Sequence, residues 1–574
     1  MKFSRLFRTI FDTAARWRRG ARTPQKTACP CAALAAGAPR PHEARVTTLC
    51  FALLFLSVCS YGRIVNVRDH GAVGDGSTVN TAALQKAIDE CHASGGGRVL
   101  IADGNFVTGT LFLKSNVILQ VETGATLSGS TSIRDYASNV FRNQYNDKNK
   151  KEGCLIFAEN AENIGLEGGG KIDGQGYRRN FPNPDDPKKD RPMLIRFLRC
   201  RNVTLQNIQL LNPASWTVAM IYCQRINIHG VGIISNVNSN GDGLDFDGCE
   251  QVSISRCHFD TSDDSICLQS SIKEFPCRYI TISDCIMTSA RAAIRIGMLS
   301  GGDFSDITVT HCVFHHIADA ALKIQLNEGG KMETFLFSNL IMKEVACAVL
   351  MTFNNYTVYV DGPAEPAPMQ SMRNFTFSNF RVESKARSKD GTRPLILPLI
   401  LLTGLPGHNI ENLTFSNIQM IAPGGGTSAD GKLRAIPELH RMRPEFTQFG
   451  KVVPAYGLYA RHVRGLHLDH VTMTTELPDG RPAVICDDVA ELDLADCQAA
   501  VAADAECLLR LQNARQVWIR NCRPSGGNKT FLQVEGAESR GILLSGNDLR
   551  TFEQPFTLLQ GAGTDAVTTA NNIK

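Results

Sequence analysis

The sequence predicts an all-β fold, a right-handed single-stranded parallel β-helix with an N-terminal capping helix. Three observations predict it: a short strand motif recurs at a near-constant step, a second short strand sits between its copies, and the turns are rich in Gly, Asn and Asp. The first motif is an apolar-x-apolar strand, a polar pair and a further apolar residue. It reads NVTLQNIQL at 202–210, INIHGVGI at 226–233, VSISRCHF at 252–259, ITISDCIM at 280–287 and ITVTHCVF at 307–314. Its anchors Val203, Ile226, Val252, Ile280 and Ile307 lie 23, 26, 28 and 27 residues apart. Later copies start at Phe375, Leu413, Leu466 and Val517. Strands this short are not helical repeats, which need continuous 3.6-residue patterns. Each coil alone exposes an apolar inner face. Stacking buries it, with neighbouring strands about 4.8 Å apart.

Taken in chain order, residues 1–60 read as a basic lead followed by a signal-like apolar segment. The first 45 residues hold ten Lys/Arg against two Asp/Glu, so the formal +4 of the 574-residue chain comes from its head. The body carries no basic excess, and nucleic acid is not an expected partner. The run TTLCFALLFLSVCS, Thr47–Ser60, follows Arg45 and is too short for a comfortable membrane span. It fits the apolar region of a secretory signal, and a short N-terminal membrane anchor is the second expectation. Either predicts an exported protein, whether periplasmic, cell-surface or secreted.

With hydrophobic residues at 43% and charged residues at 20%, residues 61–574 are expected to form a single β-helix domain rather than a disordered chain. In NTAALQKAIDECHASGG at 80–96, Ala83, Leu84, Ala87, Ile88 and Cys91 share one helical face, which suits a cap over the open end of the stack. Long loop insertions fall at about 345–460: DGPAEPAP at 361–368, ARSKDGTRP at 386–394 and APGGGTSADGK at 422–432. Such excursions are able to wall a cleft. The 19 cysteines do not read as a disulfide framework. Cys257, Cys285 and Cys312 recur at one place in the repeat, as small buried groups that would stack. No cluster has zinc spacing.

The second strands align Leu244 with Ile266, Ile294 and Leu322. Just before them, Asp242 falls opposite Asp264, Ala292 and Ala320, and the next column reads Gly241, Asp263, Arg291 and Asp319. Asp242, Asp263 and Asp264 therefore converge on neighbouring coils, followed by Asp245 and Asp247. Arg295 and Lys323 sit one coil apart, and Gln269 and Gln325 mark another polar column. Carboxylates this close cannot all ionise normally, so at least one pKa rises. Glycosidic cleavage uses such a set: one protonated acid for the leaving oxygen and one ionised base for a water. Adjacent cations suit an anionic sugar. An Asp-rich turn that caps its own loops and a Ca²⁺ site are the competing readings.

At these residues the sequence resembles glycoside hydrolase family 28, the polygalacturonase and rhamnogalacturonase family. Its Asn-Thr-Asp motif is similar to Asn240-Gly241-Asp242, and its paired aspartates to Asp263-Asp264 in TSDDSICLQS. The likeness extends through VNVRDHGAVGDGSTVNTAALQKAID at 65–89, GGGKIDGQG at 168–176 and RPMLIRFLRCRNVTLQNIQLLNPASWTV at 191–218. The resemblance implies inverting hydrolysis of pectic polysaccharides with no metal or cofactor and no protein partner, and the chain's departures from the family motifs open exo action or a rhamnogalacturonan backbone as variants of it. It makes Asp263 the general acid, with Asp242 and Asp264 activating water. Asn240, Asp245, Gln269, Arg291, Arg295, Lys323, Gln325 and Trp216 become the candidate sugar-binding residues, and Tyr456, Tyr459 and Arg461 candidate supports of a cleft wall. Two departures stand out. The family's Gly-His-Gly motif falls on Arg291-Ala292-Ala293, so its histidine is absent, and His315 and His316 lie on the next coil. The family's Arg-Ile-Lys becomes Lys323-Ile324-Gln325. A polysaccharide lyase and a catalytically degenerate carbohydrate-binding β-helix are the alternatives.

Overall fold

The computed structural model describes residues 63–137, 153–182, 191–356, 368, 370–385, 397–434, 436–439, 446–450 and 452–574. The chain divides into two units, Met1–Tyr61 and Gly62–Lys574. The basic lead, the apolar run and the insertions at 361–367 and 386–394 lie outside the described residues. The expected membrane anchor is corrected. Among the described residues no helix is long and apolar enough to cross a membrane. The run 47–60 holds only 14 residues, fewer than the roughly 20 apolar residues that a membrane-spanning helix needs.

Among the described residues the extended strands pair in parallel, and they wind as a right-handed β-helix. Each coil runs through three strands. One coil is Leu244–Asp247, Glu250–Ser255 and His258–Thr261, and the next begins at Ile266–Ser270. The periodic anchors stack in one column: Val203 pairs with Ile226, then Val252, Ile280 and Ile307. The column continues through Phe335, Phe375, Leu413, Leu466, Leu492, Val517, Ile542 and Val567. The tail after residue 485 therefore extends the same stack.

The polar pair that closes the first motif has a conformational cause. Its second member, Asn207, Arg256, Asp284 or His311, takes a left-handed φ of 50–55°. Short polar side chains tolerate that region best. One residue further on, Cys257, Cys285 and Cys312 point inward and donate to the carbonyls of Ser255, Ser283 and Thr310 at 3.2–3.3 Å. Among the described residues the cysteines are free thiols.

The helix Thr81–Ala93 buries Leu84, Ala87, Ile88 and Cys91 against the first strands and ends slightly earlier than its sequence pattern. It covers the apolar end of the stack, which would otherwise meet water. At the other end of the site, the excursion after Ala422 returns across the outside of the sheet. Ile436, Leu439, Phe449, Val453 and Ala455 pack there on Ala320, Cys347, Leu350, Leu401, Tyr459 and Ile485.

Candidate active site

The site sits on the outward face of the sheet that begins each coil. Leu244 pairs with Ile266, Ile266 with Ile294 and Ile294 with Leu322, the register read from the sequence. The preceding turns are laddered in the same way. Thr217 N donates to Asp242 O at 2.9 Å, Gly243 N to Asp264 O at 3.0 Å, and Ser265 N to Ala292 O at 3.0 Å. Asp242, Asp264 and Ala292 therefore occupy one position on three successive coils. Gly241 stands where the family motif has threonine. A Cβ there would come within 2.0 Å of the Ser235 carbonyl oxygen, so this turn admits only glycine.

Asp242 and Asp264 are buried, 6% and 2% exposed, and Asp263 is partly exposed beside them. Oxygens of Asp242 and Asp264 and the sulfur of Cys267 lie within 4.8 Å of one another. Cys267 Sγ reaches Asp264 Oδ2 at 3.6 Å and Asp242 Oδ2 at 3.8 Å. Burial, reinforced by Asp245, Asp264 and Asp242, pushes the Cys267 thiol well above its ordinary range. It stays protonated and donates toward both carboxylates. With sulfur at its centre, this trio differs from the shell of six to eight oxygens that Ca²⁺ takes.

Asp264 is held by two donors. Its Oδ1 accepts from Ala292 N at 2.9 Å, and its Oδ2 pairs with Arg295 Nη1 at 3.3 Å. Asp263 is held differently. Thr261 Oγ1 and Ser289 Oγ donate to its carbonyl, each at 2.6 Å, which fixes the backbone from two coils. Its carboxyl is pushed up to about 6, first by burial and next by the Asp264 charge, while Arg291 and Arg295 oppose the rise. The pair thus offers one readily protonated acid next to a carboxyl group paired with an arginine.

The other expected residues divide into groups. Asn240 belongs to the site: its Nδ2 points to Asp263 Oδ2 at 3.5 Å, and its Oδ1 accepts from Arg191 Nη2 at 2.8 Å. Arg191, 5% exposed, also donates to the Ala214 carbonyl at 3.0 Å. Sequence spacing missed Arg191, whose partner lies 49 residues away. Arg295 lies over Cys267 in the ladder and donates to Gln325 Oε1 at 3.0 and 3.2 Å. Asp245 pairs with Cys267 on the same outward column. Arg291 is exposed beside Asp263.

Lys323 is 1% exposed, and its ammonium meets Asp319 Oδ2 at 2.8 Å. Gln269 sits over Asp247, but its column does not run straight to Gln325. The register shifts after Leu268, where Gly297 bulges at φ 85°. Trp216 packs with Cys154, Phe157, Met193 and Ala219 and is 8% exposed, so it builds the wall on the N-terminal side. His316 is exposed and pairs with Glu344 at 3.3 Å, on a strand segment ladder-paired to a different sheet of the coil. On the C-terminal side, Tyr459 is part of the excursion's apolar seat. Arg461 donates to the carbonyls of Ile436 and Pro437 at 2.8 and 3.0 Å.

Residues 91–431 match the family model described as glycosyl hydrolases family 28, and the chain belongs to that family. It is a glycoside hydrolase of polygalacturonase-like type, and the lyase alternative falls away. A probable polygalacturonase of Vitis vinifera is 25% identical over 395 residues, covering 66% of this chain and 78% of that relative. The exo-poly-alpha-D-galacturonosidase of Dickeya chrysanthemi is 26% identical over 419 residues, covering 62% of this chain and 67% of the relative. Among solved structures, a Yersinia enterocolitica family 28 exopolygalacturonase superposes with a TM-score of 0.58 at 23% identity. That match covers 74% of this chain and 77% of the other, and it carries the fold.

Proposed function

We propose that this exported enzyme hydrolyses glycosidic bonds in pectic polysaccharides with inversion and works from a chain end. Residues 61–574 form its single catalytic domain, and 1–60 direct it to the periplasm, the cell surface or the medium. Asp263 is the general acid. It gives its proton to the glycosidic oxygen as the C–O bond breaks, and the sugar passes through an oxocarbenium-like transition state. Asp242 and Asp264 hold a water on the opposite face and take its proton as its oxygen bonds to the anomeric carbon. Arg295 pairs with Asp264, and Asn240, set by Arg191, aims Asp263.

The observation that carries this reading is the unequal pair. Asp263 is lifted to about 6, while Asp264 beside it is fixed by an arginine and a backbone N–H. Exo action rests on the excursion. Its apolar seat includes Ala320, next to Asp319 and one coil beyond Arg295, where the excursion would block a continuing polymer. Pectic oligosaccharides analysed by mass spectrometry test both parts. The wild type should release a single short product from one end, and Asp263→Asn should lose at least about 10³-fold in kcat. Random internal products would reject exo action. Full activity in Asp263→Asn would reject the assigned acid.

A further inference from the structure

Family members carry two cations in the Arg-Ile-Lys motif; this chain retains one, Lys323, and buries it. Its ammonium lies 2.8 Å from Asp319 Oδ2, whose Oδ1 accepts from Ala320 N at 2.8 Å. Apolar Ala320, Cys347 and Leu350 lie around the pair under the excursion. Arg295 is also engaged, by Asp264 and by Gln325. Neither side chain presents an open charge to a sugar.

Arg291 stands in contrast. It lies three residues before Ile294, as Asp263 lies three before the paired Ile266, so the two share a column on adjacent coils. It is exposed, and among the described residues its guanidinium makes no hydrogen bond or ion pair. Its backbone is nonetheless fixed: Arg291 N donates to Ser289 Oγ at 2.9 Å, and Asp319 N to Arg291 O at 3.2 Å. Ala292, in place of the motif histidine, leaves the neighbouring position small. The result is a solvent-facing guanidinium beside the acid, carried on an anchored backbone.

We propose that Arg291 is the specificity-determining residue of this site, recognising the carboxylate of a uronate bound next to the scissile bond, while the Asp319–Lys323 pair removes the lysine from that task. This rests on the pectic-hydrolase reading. A guanidinium offers a planar fork to a carboxylate, and its selectivity disappears when the carboxylate is esterified.

The test compares oligogalacturonides with free carboxylates against their methyl esters, in the wild type, Arg291→Gln and Lys323→Gln. Binding is measured by calorimetry in an Asp263→Asn background, and turnover in the unblocked enzymes. The wild type should favour the free acid by about tenfold, mainly through KM. Arg291→Gln should weaken the free acid far more than the ester, so that most of that preference is lost. Lys323→Gln should lower both substrates alike and leave the preference intact. A second readout is the pH profile: loss of the Arg291 cation lets Asp263 hold its proton longer, so the alkaline limb should move upward. A preference that survives in Arg291→Gln, or vanishes in Lys323→Gln, overturns the assignment. Absence of wild-type turnover on both substrates, with calorimetric preference retained, overturns the hydrolase reading alone. Absence of both overturns the two together.

Discussion

At the scale of single residues, the chemistry depends on what surrounds each carboxylate. Asp263 is lifted to about 6 mainly by burial, and an ordinary carboxylate titrates near 4. With Asp263 as the acid, activity should therefore fall as pH passes about 6, measured on kcat/KM. A profile that stays flat from pH 4 to 8 would contradict the assignment. Asp247 provides a test of stability. It is buried, accepts from Ser271 N at 2.7 Å and is lifted to about 6, chiefly by desolvation. The folded state holds this proton more tightly than the unfolded state, so its contribution is complete below about 4 and is lost as pH rises through about 6. Asp247→Asn should thus be neutral at pH 4 and stabilise by up to about 3 kcal/mol at pH 7.5, read from urea unfolding.

The acid set was legible in the sequence because residues on adjacent coils share a column, and alignment of the strands alone brings Asp242, Asp263 and Asp264 together. Arg191 and the closure of Lys323 were not legible. The first depends on a side chain reaching across 49 residues. The second depends on a cover whose fold leaves no period in the sequence.

At the scale of elements, the excursion after Ala422 and the turn columns carry the argument. Three arginines pin the excursion through its carbonyls. Arg461 holds Ile436 and Pro437, Arg510 holds Gly431 and Leu433 at 2.7 Å, and Arg481 holds Val453 and Ala455 at 3.0–3.1 Å. Hydrogen bonds from a charged donor contribute about 1.5–3 kcal/mol each. Arg461→Ala should loosen the cover, seen as faster proteolysis within 423–457, and shift products from single end units toward internal fragments. An unchanged product pattern with a proteolytically opened cover would remove the cover from the mode of attack. The aromatic column offers a second test. Phe377 stacks between Phe337 and Phe415 at centroid distances of 5.1 and 4.5 Å. Phe377→Ala should cost about 3–5 kcal/mol, with the loss visible in chemical denaturation. The strand motif announced this column two residues after its anchors Phe375 and Leu413, at Phe377 and Phe415, whereas the excursion had only its Gly and Pro content to mark it.

At the scale of the whole molecule, one apolar column from Val203 to Val567 makes the protein a linear stack in which each coil rests on its neighbours. The stack is what turns a sequence step of about one coil into strand spacing of about 4.8 Å and places carboxylates from separate turns in one groove. The most direct measurement is the anomeric configuration of the first-formed product, followed by proton NMR during the opening minutes of hydrolysis of a pectic oligosaccharide. An acid on one face and a water held by Asp242 and Asp264 on the other predict the anomer opposite to that of the cleaved bond. A retained anomer, or an unsaturated product, would contradict that arrangement.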